Sequence, residues 1–314
     1  LHEAGIYGPD TSVNATASEG GVASVYATSL IGGSPFPSCC GTFSCQCGMS
    51  LNGPPFAPTM ELIDQMSAEF YGDFSSWNGT VRVSGNASIL VHVGEYLMKA
   101  GAKQESMPAA AADSAPTLTA PRIVIQGGST APFVLPQAHM VLDRFASATA
   151  TGGDFVVDGG QLELAARASM NVAVGNFRLI GDLLAVTAGV TPPPKTGLYD
   201  FSSASIRGDM VMTGVAEYIN ASAVPLALGR HWDNRLVMPS LFDSSLGGVR
   251  LDGDAPQTFE VAGRNFGVSP EGYNTSAATL FDSNPSTNFS VQRLEVAAGR
   301  SVEFTNGFAN TVGT

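Results

Sequence analysis

The 314-residue chain is short of charged side chains, which make up 13% of it, against about 25% in ordinary soluble domains. It has three lysines, and its formal net charge is −12. Because phosphate backbones are bound by clustered Lys and Arg, this balance argues against a nucleic-acid partner. Helical bundles need Glu, Lys and Leu at helical spacing, so they are disfavoured as well.

Several functional motifs are also missing from the sequence. No apolar run reaches the ~18 residues of a membrane-spanning helix, so we expect no membrane span. The chain has no phosphate-binding glycine loop ending in Lys-Ser/Thr, no Gly-x-Ser-x-Gly turn and no Asp-x-Asp-x-Asp-Gly calcium loop. No two carboxylates stand out as a glycosidase pair. We therefore predict a protein that is not an enzyme and holds no cofactor or metal.

What the chain has in quantity is glycine, at 36 residues, together with Ser, Thr and Val. This composition suits short strands joined by tight turns. Residues 78–93 alternate strictly: the odd positions are Gly, Ala, Val or Ile, and most even positions are polar. Period-2 alternation predicts one buried and one wet face. Asn78 and Asn86 both fall on the wet face.

Six Asn-X-Ser/Thr sequons predict a secreted, N-glycosylated protein of the extracellular space or cell surface. A seventh triplet, Asn284-Pro-Ser286, is excluded by its proline. The predicted acceptors are Asn14, Asn78, Asn86, Asn220, Asn274 and Asn288. The chain begins at Leu1 without Met, which is expected if a signal peptide has been removed or if the chain is a fragment.

Four cysteines lie within nine residues, at Cys39, Cys40, Cys45 and Cys47. In an oxidising compartment they would close disulfides across a Gly/Pro-rich loop that has little core of its own. In a reducing compartment four close thiolates could instead bind Zn²⁺, although the spacing lacks the usual pair of CxxC motifs. The sequons favour disulfides, with the pairing left open and bridges to a neighbouring subunit still possible.

Composition shifts divide the chain into four segments. Residues 1–58 predict a Gly/Pro/Cys-rich N-terminal cap or interaction segment with a strand near 22–30. Residues 59–103 predict a short helix followed by strands, because Thr59 can cap a helix in which Leu62, Ile63, Met66 and Phe70 recur at helical spacing. Residues 104–121 predict a linker or surface loop. Residues 122–314 predict the main β domain.

From residue 122 short alternating segments and turn signals recur, which predicts an all-β fold. The stretches Gly153–Leu164 and Leu294–Phe304 resemble extracellular parallel β-helix (β-solenoid) surface and fibre proteins, and such stretches cover about half of the chain. This resemblance implies stacked turns with aliphatic residues inside. The alternative is an antiparallel β-sandwich or jelly roll, with hairpins at Asp158-Gly159 and Asp252-Gly253. No strict repeat period is visible.

The densest polar cluster is Gly229–Arg235. Its residues His231 and Asp233 could form an acid–base pair beside the sugar-stacking ring of Trp232. The favoured interpretation is an exposed loop in which Arg and Asp pair while Trp232 fills the edge of the core. An Arg207-Gly208-Asp209 triplet sits inside a predicted strand, where it would not project as an adhesion ligand must.

We therefore expect a non-enzymatic structural glycoprotein, a subunit of an extracellular filament, coat or surface layer that binds copies of itself. Stacking of copies would cover the exposed strand edges. The alternative is a carbohydrate-active β-helix lyase or hydrolase, with Arg230, His231, Asp233 and Arg235 as first candidates. A second alternative is a viral coat or spike protein of jelly-roll type.

Overall fold

The computed structural model describes most of the chain as strands and tight turns, and the described residues contain no helix. These residues are 14–15, 22–25, 29–32, 42–45, 48–52, 59–62, 67–106, 115–127, 136–181, 192–236, 240–244, 246–260, 274–276, 279–281, 288–291 and 294–305.

Successive strands join three sheets in rotation, so the backbone coils into a parallel β-helix. Over most of the coil, each strand pairs in parallel with the strand three places along the chain. Near the C-terminal end, two antiparallel strands at 274–276 and 279–281 interrupt this order in the third sheet, and parallel stacking resumes after them. Among the described residues the sheets contain 11, 11 and 12 strands. This confirms the all-β, β-solenoid prediction and rules out the antiparallel sandwich or jelly roll.

The strand bounds follow the three sheets. Sheet 1 holds β1 (Asn14–Ala15), β4 (Thr42–Cys45), β7 (Ser67–Phe70), β10 (Ser88–Val91), β13 (Thr117–Ala120), β16 (Ser147–Ala150), β19 (Ser169–Val172), β22 (Ser203–Ile206), β25 (Leu226–Leu228), β28 (Val249–Leu251) and β33 (Leu294–Val296). Sheet 2 holds β2 (Val22–Val25), β5 (Gly48–Asn52), β8 (Phe74–Trp77), β11 (Glu95–Met98), β14 (Arg122–Gln126), β17 (Phe155–Asp158), β20 (Phe177–Ile180), β23 (Met210–Gly214), β26 (Trp232–Leu236), β29 (Gln257–Glu260) and β34 (Val302–Thr305). Sheet 3 holds β3 (Ser29–Gly32), β6 (Thr59–Leu62), β9 (Thr80–Val83), β12 (Lys103–Ser106), β15 (His139–Leu142), β18 (Gln161–Leu164), β21 (Lys195–Leu198), β24 (Glu217–Asn220), β27 (Leu241–Ser244), β32 (Asn288–Val291) and the antiparallel pair β31 (Thr279–Phe281) and β30 (Asn274–Ser276).

The core forms because most strands alternate buried and partly exposed residues, as β10, β16 and β19 do. In-register pairing then stacks equivalent side chains into columns. An aromatic-rich column lies on sheet 2, where Phe74 stacks on Tyr96 at a ring-centroid distance of 4.9 Å, and Phe155 packs on Phe177 at 6.1 Å. Trp232 continues this column at 1% exposure. Aromatic pairs of this kind add to the free energy that burial supplies.

The length of a turn is nearly constant once insertions are set aside. Ser147 pairs with Ser169, 22 residues further on. Ser88, by contrast, pairs with Thr117 at 29 residues, and Ser169 pairs with Ser203 at 34 residues. The longer turns contain the segments 107–114 and 182–191, which lie outside the described residues. These unequal insertions explain why the sequence shows no strict repeat.

Three details of the sequence-based prediction need correction. The helix predicted from Thr59 is wrong, because residues 59–62 and 67–70 are the strands β6 and β7. Met60, Leu62, Ala68 and Phe70 are buried in strand alternation, while Ile63 and Met66 lie outside the described residues. The predicted linker 104–121 is also not a loop throughout, because its described residues include part of β12 and all of β13.

The third correction concerns the predicted hairpins. Asp158-Gly159 links β17 in sheet 2 to β18 in sheet 3, and Asp252-Gly253 links β28 in sheet 1 to β29 in sheet 2. Both are therefore corners of the coil. We call the sheet 1 to sheet 2 connection corner 1, the next corner 2, and the sheet 3 to sheet 1 connection corner 3.

Corners 1 and 3 use different backbone solutions. At corner 1 glycines stack closely: a Cβ on Gly208 would collide with the carbonyl oxygen of Gly175. In three turns, corner 3 instead places two successive residues at positive φ, for example Ala166 (47°) and Arg167 (69°). A left-handed conformation costs a non-glycine residue roughly 1–2 kcal/mol, so corner 3 stores strain that the packed sheets must hold.

Candidate functional site

The residues His231, Trp232 and Asp233 lie where corner 1 enters β26, and they occupy three separate environments. The Nδ1 atom of His231 accepts the backbone N–H of Thr258 at 3.0 Å and lies 2.9 Å from the Thr258 hydroxyl. Trp232 points into the core, so its ring is not available to a sugar. Asp233 points outward and pairs with Arg235, with a distance of 2.9 Å between Oδ1 and Nε. The three do not form one site.

His231 belongs instead to a column of polar residues, which we call the corner ladder. Each member immediately precedes a residue of the sheet 2 column that contains Phe74, Tyr96 and Trp232, or its paired position on the next strand. From the N-terminal end, the members are Asp73, Glu95, Arg122, Asp154, Asn176, Asp209, His231 and Thr258.

Hydrogen bonds run along the corner ladder from turn to turn. The Oδ1 atom of Asp154 accepts the N–H of Asn176 at 2.8 Å, and Oδ1 of Asn176 accepts the N–H of Asp209 at 2.8 Å. Oδ1 of Asp209 in turn accepts the N–H of His231 at 3.0 Å. At a corner these amides would otherwise lack a strand partner, and leaving a buried N–H unpaired is costly. The corner ladder therefore stabilises the bend of the chain.

Two carboxylates of corner 1 also pair with arginine side chains. The second oxygen of Asp154 accepts a hydrogen bond from Nε of Arg178, and Asp209 pairs with Arg230 at 3.5 Å. In the Arg207-Gly208-Asp209 triplet, Gly208 is buried and Asp209 belongs to the corner ladder. The triplet therefore does not present its two charges on a projecting loop.

Sequence reasoning missed the corner ladder, although a local signal was present. A Gly-polar-apolar triplet recurs as Gly153-Asp-Phe155, Gly175-Asn-Phe177 and Gly208-Asp-Met210. Each triplet combines the tight corner, the ladder residue and the first inward side chain of sheet 2. Aligned on these triplets, the sequence would have revealed its turns in spite of their unequal lengths.

Among the residues that the structure describes, three groups have shifted pKa values, and none of the three belongs to the corner ladder. Burial raises the pKa of the Tyr96 and Tyr218 hydroxyls well above the usual range, and both lie in the core. Burial lowers the pKa of the His139 imidazole, while the Glu163 carboxylate, 3.8 Å away, acts in the opposite direction. Perturbed groups can mark active sites, but these three lie on different parts of the coil.

The predicted glycan acceptors differ in accessibility. Asn86 is exposed in a corner 3 turn, and Asn78 is partly exposed at corner 2 with a φ of 52°. Asn220 is fully buried: its Nδ2 donates to the carbonyls of Val224 and Gly248, and its Oδ1 accepts the N–H of Ser222. A glycan on that nitrogen is incompatible with this packing, so Asn220 is removed from the predicted acceptors.

The remaining predicted sites fall at the ends of the described chain. Asn14, Asn274 and Asn288 lie on β1, β30 and β32. Cys45 ends β4, while Cys39, Cys40 and Cys47 lie outside the described residues. The disulfides therefore stay a prediction.

Elsewhere in the described chain, no group of three or more His, Cys, Asp and Glu side chains is placed to hold a metal ion. In the same residues, no helix has the length and hydropathy needed to cross a bilayer. No known protein family matches this chain, and no curated protein or solved structure matches it either.

Proposed function

We propose that this protein is an extracellular structural glycoprotein, a rigid β-helical rod that assembles end to end with copies of itself. Eleven turns stacked at about 4.8 Å give a rod roughly 50 Å long. The observation that carries the proposal is an apolar residue exposed at the last described turn of the core. Val296 continues the inward column of Leu251, which is fully buried, yet Val296 is 44% exposed.

The last described turn favours an assembly for two reasons. Among the described residues, β33 and β34 are the last strands of sheets 1 and 2, and strand edges of this kind tend to pair with another chain. The exposed Val296 also ends the described part of the apolar column. A second copy that docks its N-terminal turn there would satisfy both, and such a heterologous contact repeats into a filament.

The polar residues near corner 1 support a structural function in preference to catalysis. His231 and Asp209 hold backbone amides of the next turn, and Asp233 pairs with Arg235. A general base must reach a substrate proton, whereas these groups are directed at the protein itself. Glycans at exposed positions such as Asn86 would add solubility to a surface with few charges.

Assembly is tested by substitutions at the last described turn. Val296→Lys places a charge on the terminal edge, a substitution that natural edge strands use to prevent pairing. The matched control is Val174→Lys, because Val174 is 65% exposed at a corner away from either end. We expect light scattering and electron microscopy to show filaments for the wild type and for Val174→Lys, and monomers for Val296→Lys. Monomeric wild-type protein at high concentration would refute the proposal.

The enzymatic alternative is tested separately with a panel of polysaccharides. Degradation of any of them, lost in His231→Ala while the protein stays folded, would assign a catalytic function to corner 1 and overturn the structural proposal.

A further inference from the structure

The outer surface of sheet 1 differs from the other two surfaces in its chemistry. On the four strands β13, β16, β19 and β22, every outward side chain is small, uncharged and able to form hydrogen bonds. We call this set the hydroxyl face, and its members are Thr117, Thr119, Ser147, Thr149, Ser169, Asn171, Ser203 and Ser205. Thr117 is exposed and the other seven are partly exposed.

The hydroxyl face is a regular two-column array. Its first column is Thr117, Ser147, Ser169 and Ser203, each paired directly with the next, and Ser67 and Ser88 extend it towards the N-terminus. Because the register never shifts, the columns run straight up the coil. Neighbouring members are about 4.8 Å apart along a column, and the two columns are about 6.6 Å apart along each strand.

Charge is absent from this face but present on the same turns elsewhere. Sheet 2 carries Arg122 and Arg178, and sheet 3 carries Glu163 and Lys195. Exposed strand positions on the other sheets thus accept charged residues, while the hydroxyl face holds none over four turns. A highly charged partner such as nucleic acid would find no complementary groups here.

The size and the shape of the hydroxyl face argue against a protein partner and against a sugar or other small molecule. Four strands of four residues cover roughly 250 Å², whereas a stable protein interface needs about 800 Å² from each partner. Small-molecule and sugar sites are concave and usually lined with aromatic rings, but sheet 1 presents an open row of strands. Its outward residues from β7 to β28 include no aromatic side chain.

We propose that the hydroxyl face binds the surface of an ice crystal. Ice is uncharged, bonds only through hydrogen bonds, and repeats its oxygen rows in two perpendicular directions at spacings similar to those of the two columns. A single hydroxyl gains only about 1 kcal/mol from such a bond, and it bonds equally well to liquid water. To bind ice in preference to liquid water, the protein therefore needs many hydroxyl groups that are held in register before binding. A β-helix holds them so, and little further conformational entropy is lost on binding.

The test uses the full chain, with a tyrosine placed on the hydroxyl face. Thr149→Tyr suits a strand, yet it projects a ring above the neighbouring columns. Thr119→Tyr on the preceding turn is a second variant in case the first folds poorly. The control is Thr213→Tyr, because Thr213 is a partly exposed residue of β23 on sheet 2. Circular dichroism verifies that each variant is folded.

The measurements are partition of labelled protein into a slowly growing ice crystal and thermal hysteresis. We expect the wild type and Thr213→Tyr to enter the ice equally, and both face variants to do so at least ten-fold less. Exclusion of the wild type from ice, or equal loss in Thr213→Tyr, would overturn the proposal. The proposal would also be overturned if the wild type bound particulate cellulose or chitin but not ice, and if Thr149→Tyr removed that binding. Val296→Lys and its control report separately on end-to-end assembly, so either proposal can fail alone.

Discussion

Replacing Gln257 should show how much a single buried amide contributes to corner 1. Gln257 is 1% exposed and lies at the start of β29. Its Oε1 accepts the N–H of Gly253 at 3.0 Å, and its Nε2 donates to the carbonyls of Leu228 at 2.9 Å and Arg230 at 2.6 Å. The side chain therefore holds two successive passes of the chain through corner 1 together.

The magnitude follows from the groups that lose a partner in Gln257→Leu. The buried N–H of Gly253 loses its acceptor, and the partly buried carbonyl of Arg230 loses its donor. The carbonyl of Leu228 still accepts the N–H of Asp252 at 3.1 Å. An unpaired buried group costs about 1–3 kcal/mol, and a partly buried one can recover some of this from water. We expect a loss of about 1–4 kcal/mol in the free energy of unfolding, a sizeable fraction of the roughly 5–15 kcal/mol typical of a domain.

Gln257→Glu gives a second, pH-dependent outcome from the same position. Its carboxylate can still accept from Gly253, but it opposes the two carbonyls, and burial favours its neutral form. Protonation creates an O–H that can donate to one carbonyl. The deficit of Gln257→Glu relative to the wild type should therefore shrink as the pH falls, while that of Gln257→Leu should not change.

Calorimetry and native-state hydrogen exchange at the Gly253 amide would measure both variants, since a stacked coil can open locally. Gln126→Leu is the control, because Gln126 is exposed on β14, and such surface substitutions change stability by about 0.5 kcal/mol or less. A Gln257→Leu protein as stable as this control, with Gly253 exchange unchanged, would refute the reasoning.

Three further predictions follow from other positions. Ala166→Gly should raise the free energy of unfolding by about 1 kcal/mol, because Ala166 holds a φ of 47° that glycine adopts freely; unchanged urea unfolding would contradict this. In a glycosylating host, peptide mass spectrometry should find glycan on Asn86 and none on Asn220, and an occupied Asn220 in folded protein would exclude the described packing. Because burial lowers the pKa of His139 in the folded protein, the unfolded state binds the proton first. Stability should therefore decline as the pH falls through about 6.5, and a melting-temperature series should show a shallower decline in His139→Gln.

The strand content was readable from the sequence because most strands carry their own alternation. Val81, Val83, Ile89 and Val91 are buried as the alternating residues 78–93 predicted. What this pattern did not reveal is that the stretch bends at corner 3 between β9 and β10. Gly85 adopts a φ of 60° there, and the bend preserves the alternation, so two strands look like one.

The function of His231 could not be read from its neighbours in sequence. Its hydrogen-bond partner, Thr258, is 27 residues away, one turn further along the coil. Locally, the segment from Arg230 to Arg235 is a polar cluster of the kind that active sites use. Only the register between β26 and β29 shows that the imidazole is directed at a backbone amide. Asn220 was misjudged in the same way, because a sequon carries no information about burial.

Because the number of residues in a turn is nearly constant, the coil can be shortened or lengthened by one whole turn at a time. Residues 147–168 run from one Ala-Ser junction, Ala146-Ser147, to the equivalent junction at Ala168-Ser169. Their removal would join strands of identical register and leave every remaining column continuous, since each turn of a solenoid touches only its neighbours. Duplication of the same segment would add one step. Evolution could thus adjust the reach of this molecule by copying or losing a single unit, with no redesign of its interior.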